Sequence, residues 1–130
     1  MSLSSNKSLV KSFIGQVFNK HNILAVDKYL GESQPFKEFL NKFFKAFPDW
    51  HTSIEHMVSE DDLVIVFLNG TGTHLGEFQG KPPTNKVVNI RSADLYRIAN
   101  DKIVGHWDVV DQLNLLLATG TTLEPVSKSP

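Results

Sequence analysis

Asp94, His106 and Asp108 are the residues whose types and spacing best suit proton transfer. They lie in two alternating apolar-polar segments, Lys86 to Ile98 and Lys102 to Val110, joined by Ala99-Asn100-Asp101. That pattern predicts an antiparallel hairpin. Register decides whether the three residues meet, because a one-residue shift turns every side chain to the other face. A three-residue loop sets Ile98 opposite Lys102, Ser92 opposite Asp108 and Asp94 opposite His106. A two-residue Asn100-Asp101 turn would point Asp94 and Asp108 to opposite faces. The longer loop is favoured, since Asp101 can take the left-handed position that closes a bulged hairpin. One face then carries Val88, Ile90, Ser92, Asp94, Tyr96, Ile98, Val104, His106, Asp108 and Val110, a polar cluster ringed by apolar side chains. The other carries Leu95, Ile103, Trp107 and Val109, apolar enough to seek a partner subunit.

In such a pocket, desolvation and a second carboxylate both penalise the ionised form of Asp94 or Asp108, which suits a base that removes a proton. An imidazole alongside can hydrogen-bond the carboxylate or donate to a developing oxyanion. The same residues also suit a structural role, with Asp94 and His106 as a satisfied cross-strand pair and Asp108 paired locally. Ser92, Tyr96, Ile90 and Phe78, with Phe13 and Val17 from the first helix, are the expected substrate-binding positions.

Other constellations are weaker. His51, His56 and His74 lack a spacing that would gather a third ligand, so no metal is expected. Ser92 has no Gly-x-Ser-x-Gly elbow around it. Gly70, Gly72 and Gly76 have no helix behind them and read as bends or bulges, not a phosphate loop. Arg91 and Arg97 belong on the outer face, and Phe78, Pro82 and Pro83 suit a plain rigid loop at one rim better than a pocket lid. The absence of cysteine rules out a disulfide framework, a thiolate nucleophile and cysteine-held metal. No cofactor is expected.

Thirteen Lys and Arg against 14 Asp and Glu leave a net charge of -1, which gives no electrostatic reason to bind nucleic acid or an anionic membrane. No apolar run approaches the roughly 20 residues of a membrane span, and the start lacks the apolar stretch of a signal peptide. The expectation is a cytoplasmic protein whose partner is a small hydrophobic molecule.

The elements that must position the hairpin come first in the chain. Leu9, Val10, Phe13, Ile14, Val17 and Phe18 recur at helical spacing from about Ser5 to Lys20, with Ser5 or Asn6 as N-cap. Asn22 can cap a short helix, Ile23 to Leu30, ended by Gly31. Pro35 opens a third helix whose face carries Phe36, Phe39, Leu40, Phe43, Phe44 and Phe47, read as core packing with no chemistry. Trp50 to Val58 and Leu63 to Thr73 add two strands, and a short helix from Asp111 ends near Gly120. The 130 residues form one domain, with a core of about 7–120 and a mobile C-terminal tail. The fold class is α+β: a cone-shaped, curved antiparallel sheet partly closed by three N-terminal helices, enclosing a cavity.

The segments Gly72-Thr73-His74-Leu75-Gly76-Glu77-Phe78, Gly80-Lys81-Pro82-Pro83-Thr84, Asp94-Leu95-Tyr96-Arg97-Ile98 and Lys102 to Asp111, with Ala46-Phe47-Pro48-Asp49-Trp50, resemble the SnoaL-like polyketide cyclase family from about Lys7 to Gly120. The resemblance implies the cone-shaped fold of nuclear transport factor two and ketosteroid isomerase, usually as a homodimer or higher homo-oligomer. It implies aldol-type ring closure or isomerisation without cofactor or metal, with Asp108 removing the proton α to a carbonyl. His106, Ser92 and Asp94 would line the pocket beside it. The family's short strand after the second helix is replaced by Gly31-Glu32-Ser33-Gln34, which implies a pocket wall missing or replaced there.

Overall fold

A computed structural model describes residues 3–31 and 33–122, with the side chains of Leu3 and Ser4 left aside. Glu32 and, from residue 123 on, the tail expected after Gly120 lie outside the described residues. The helices are α1 (Leu3–Phe13), α2 (Val26–Leu30), α3 (Gln34–Ala46) and α4 (Gln112–Ala118). The strands are β1 (His51–Glu60), β2 (Leu63–Thr73), β3 (Val87–Ala99) and β4 (Lys102–Val110). The strands form one antiparallel sheet in the order β1-β2-β3-β4, curved and unclosed. This is the expected α+β layout.

Local chemistry explains the elements. Gly31, at φ 70°, ends α2, and Pro35 sits in the first turn of α3. The Asp111 carboxylate accepts the backbone N–H of Asn114 and so caps α4. The helix starts at Leu3, not after a Ser5 or Asn6 cap; Asn6 is itself buried, one turn in.

The first helix also departs from expectation in its second half. From Ile14 to Asn19 the backbone widens into a π turn, with Lys20 N bonded to Gly15 O at 3.0 Å. Asn19 at its end donates to Thr52 O at 2.9 Å and accepts from Thr52 N at 2.7 Å. Its amide thereby satisfies both free backbone groups of an edge-strand residue.

Side chains on the inner sheet face alternate into the core: Val64, Val66 and Leu68 from β2, and Val88, Ile90, Tyr96 and Ile98 from β3. Val10, Phe13, Ile14 and Val17 of the first helix meet them, as do Leu40, Phe43 and Phe47 at the end of α3. Trp50 lies flat on β2 because Gly70 and Gly72 stand beneath it; a Cβ at Gly72 would come 2.9 Å from the indole, and one at Gly70 would overlap it. These two glycines therefore serve close approach of a ring, rather than the bends expected of them.

The β2–β3 connection is pinned at three places. Leu75 and Gly76 N–H groups both donate to Ala46 O, the last carbonyl of α3. Lys81 Nζ donates to the hydroxyls of Thr119 and Thr121 at 3.0 and 2.8 Å. His74, fully buried between Phe47 and Phe78, accepts the Thr84 N–H on Nδ1 at 3.2 Å, while Nε2 makes no hydrogen bond among the described residues.

Burial, with the nearby Lys81 charge, holds the His74 pKa below its ordinary value. A folded pKa below the unfolded one makes this contribution complete above the unfolded value of about 6.5, and lost as pH falls below it. His74→Gln is therefore expected to show a flatter dependence of unfolding free energy on pH between about 7.5 and 5 than the wild type, by up to roughly 1.4 kcal/mol per pH unit for one proton. Urea titrations at the two pH values measure the difference, and identical slopes would reject the assignment.

Candidate functional site

The hairpin that carries the site is built differently from its expected register, yet brings the same groups together. Asn100 and Asp101, at φ 51° and 61°, form a two-residue turn, so Ala99 pairs with Lys102 and Ile98 with Ile103. Both central residues at positive φ match the twist of the flanking strands. The register then shifts after Ile98: Arg97 faces Gly105, Tyr96 faces His106, Asp94 faces Asp108 and Ser92 faces Val110.

The expected Asp94 to His106 and Ser92 to Asp108 pairings, and the three-residue loop behind them, are thus corrected. So is the placing of Ile103 outside and Val104 inside: Ile103 is 3% exposed and Val104 59%. Val104 is the extra residue of a bulge, and a bulge inverts the phase of everything after it. His106, Asp108 and Val110 consequently return to the inner face despite the shorter turn.

Tyr96 is fully buried, and its hydroxyl donates to Asp94 Oδ2 at 3.0 Å. Burial and then the Asp94 charge raise the Tyr96 pKa well above its ordinary value, so the phenol remains a donor. The His106 ring stacks on Tyr96, centroids 4.7 Å apart, and places Nε2 3.5 Å from Asp94 Oδ2. Asp94 is buried, with Oδ1 making no hydrogen bond among the described residues, whereas Asp108 is exposed. One donor atom from each of Asp94, His106 and Asp108 falls within 4.8 Å of the others, making these the residues that a cation could draw together among those described. Without an ion, the same arrangement sets a carboxylate that accepts from a phenol beside an imidazole and a second, exposed carboxylate, groups able to take and give protons.

These groups form the polar end of a cavity of about 230 Å³. Its opposite wall is aromatic: Phe18, Phe36, Phe39, Phe43, Trp50 and Phe78. Of the expected site residues, Asp108, His106, Asp94, Ser92, Ile90 and Phe78 line it. Phe13, Val17 and Tyr96 lie behind the wall: Phe13 packs its ring against Phe18, Tyr29 and Tyr96, and Val17 is wholly in the core. Phe18, on the π turn, takes the lining position expected of its neighbours.

Sequence reasoning treated the α3 phenylalanines as packing alone and passed over Trp50, Thr52, Gln79 and Gln112, all of which line the cavity. The available signal was a helix face wider than a core stripe needs, and Phe39 is indeed half exposed. Phe36 and Phe39 stand directly after the short Gly31 to Gln34 connection, so α3 supplies the cavity wall on that side.

The family model for the SnoaL-like polyketide cyclase matches residues 4–119. No curated protein matches the chain. Among solved structures, AclR from Streptomyces galilaeus, a proposed hydroxylase, is 25% identical, with 96% of this chain and 87% of that one covered at a TM-score of 0.85. A proposed polyketide cyclase from Acidithiobacillus ferrooxidans is 27% identical over 92% of this chain and 97% of its own, at 0.78. IdmH from Streptomyces antibioticus, also a proposed polyketide cyclase, shares the fold at 20% identity, 89% and 99% coverage and a TM-score of 0.74.

Proposed function

The chain belongs to the SnoaL-like polyketide cyclase family, and we propose that it catalyses proton abstraction next to a carbonyl in a small hydrophobic substrate, leading to aldol-type ring closure or isomerisation. The observation that carries this reading is the cluster of Asp108, His106 and Asp94 at the polar end of an aromatic-walled cavity. Asp108 takes the α proton, and the electron pair of the C–H bond becomes an enolate. His106, steadied by Tyr96 and Asp94, is the donor toward the enolate oxygen. In ring closure the enolate carbon attacks a second carbonyl of the same molecule, and the new alkoxide takes back a proton from the cluster. No atom is lost.

A dry cavity of about 150 Å³ accommodates benzene, so one of about 230 Å³ suits a bicyclic portion of a substrate. The bicyclic ketone 2-tetralone is a fitting probe. Wild-type protein is expected to raise its melting temperature on binding and to accelerate exchange of the α protons for deuterium, followed by NMR. Binding without any acceleration would favour the second reading, a noncatalytic carrier of small hydrophobic molecules on the same fold.

We further propose that two copies associate through the outer sheet face. Ile65 and Phe67 on β2 and Trp107 and Val109 on β4 lie there on either side of β3 and are 39 to 75% exposed. Arg91 pairs with Glu55 and Arg97 with Asp62 at its margins, so the centre is apolar and the rim polar, as in a specific interface. Trp107→Glu with Val109→Lys is expected to convert a two-chain particle into a single chain in light scattering. A wild type that is already monomeric at high concentration would overturn the proposal.

A further inference from the structure

The cavity does not end at its aromatic wall. Phe39, Phe43, Phe78 and Gln79 also line a second, open groove of about 600 Å³ between α3 and the β2–β3 connection. The groove adds cationic chemistry to the apolar lining it shares with the cavity, for Lys42 and Lys45 line it and do not line the cavity. The two lysines stand three positions apart on α3 and therefore share a side of the helix.

Both are exposed, and among the described residues neither ammonium group makes an ion pair or hydrogen bond. They are not spent on capping the helix either: Phe43 O accepts from Phe47 N, and Ala46 O from Leu75 and Gly76 N. Glu77 is the acid on the groove, more than 4 Å from either ammonium group, so the groove keeps a local excess of one positive charge in a chain whose net charge is -1.

We propose that the substrate is amphiphilic, with an apolar ring portion in the cavity and an anionic group, a carboxylate or a phosphate, held over Lys42 and Lys45. This rests on the cavity being the ligand site. The groove supplies what a long substrate needs at this point, a continuous path over Phe39 and then two unpaired cations. Polar placement of this kind fixes the end-to-end orientation of a ligand that apolar walls alone leave free. The end carrying the anion stays outside, so the opposite end is the one presented to Asp108.

The probes are 4-(naphthalen-2-yl)butanoate and its primary amide, equal in shape and different in charge. Their dissociation constants are measured by calorimetry at about 20 mM and about 500 mM salt, where the Debye length falls several-fold. Two exposed charge contacts correspond to an advantage of about three- to tenfold for the carboxylate at low salt. That advantage is expected to shrink at high salt and to vanish in Lys42→Gln/Lys45→Gln, with amide binding unchanged. An amide that binds as tightly as the carboxylate, or a carboxylate advantage that survives the double substitution, overturns the anionic subsite alone. If neither compound binds, or if both still bind after Ser92→Trp fills the cavity, the cavity reading fails and this inference with it.

Discussion

Asp108→Asn is expected to slow α-proton exchange in 2-tetralone by about 10²- to 10⁴-fold, the usual contribution of a positioned general base. The amide keeps the volume of the carboxylate and loses the ability to take a proton. Because Asp108 is exposed, lines the cavity and makes no side-chain hydrogen bond among the described residues, the melting temperature should stay within a degree or two of wild type. Asp94→Asn makes the contrast. Asp94 is buried and receives the Tyr96 hydroxyl, so its replacement disturbs an interior network and is expected to lower stability as well as exchange. Exchange that persists at the wild-type rate in Asp108→Asn would remove the base from that residue.

The second large effect is structural. Gly76→Ala would place a methyl group on top of the Lys45 carbonyl oxygen, with the Ala46 Cα 3.2 Å away. Those are backbone atoms of a helix end and cannot swing aside as a long side chain can. The loop must instead leave α3, giving up the two hydrogen bonds from Leu75 and Gly76 to Ala46 O. A loss of about 3 kcal/mol is expected, at the upper end for overpacking, or about 10 °C in melting temperature for a domain of this size. Since Phe78 and Gln79 ride on the same loop, ligand affinity should fall with it. Calorimetric melting with and without 2-tetralone measures both; a melting temperature within 2 °C of wild type would show that the loop has room to give.

Much of this architecture could be read from alternation and helical spacing. The limits of β2 and β4 fall where the pattern placed them, and Pro35, Gly31 and Asp111 act at the helix ends as their chemistry suggests. The hairpin register could not be read in the same way. A three-residue loop and a two-residue turn followed by one bulged residue give registers that differ by two residues, so Asp94 and Asp108 reach the same face by either route although their cross-strand partners change. Between the turn and the bulge the two registers differ by one residue, and that exchanged Ile103 with Val104.

The cluster of Asp94, His106 and Asp108 was legible because charged side chains stand out in an alternating apolar strand. The aromatic wall was not, for Phe at helical spacing looks alike whether it meets another side chain or an empty space. Nor does the sequence around Ile14 to Asn19 announce a π turn, which is what carried Phe18, rather than Val17, to the cavity. Trp50 needed its partners Gly70 and Gly72 to be read with it across a strand pairing, and that pairing is not visible until β1 and β2 are aligned.

The amide of Asn19 bears on how the protein behaves in concentrated solution. β1 is an outer strand, and an outer strand is where one chain can template another into a growing fibril. At Thr52 both backbone groups that would greet a newcomer are already occupied by Asn19. Two residues on, the register break between Ile54 and His56 kinks the same border. A side-chain amide borrowed from the first helix thus works as a bumper, sealing the strand against accretion without adding another strand to the sheet.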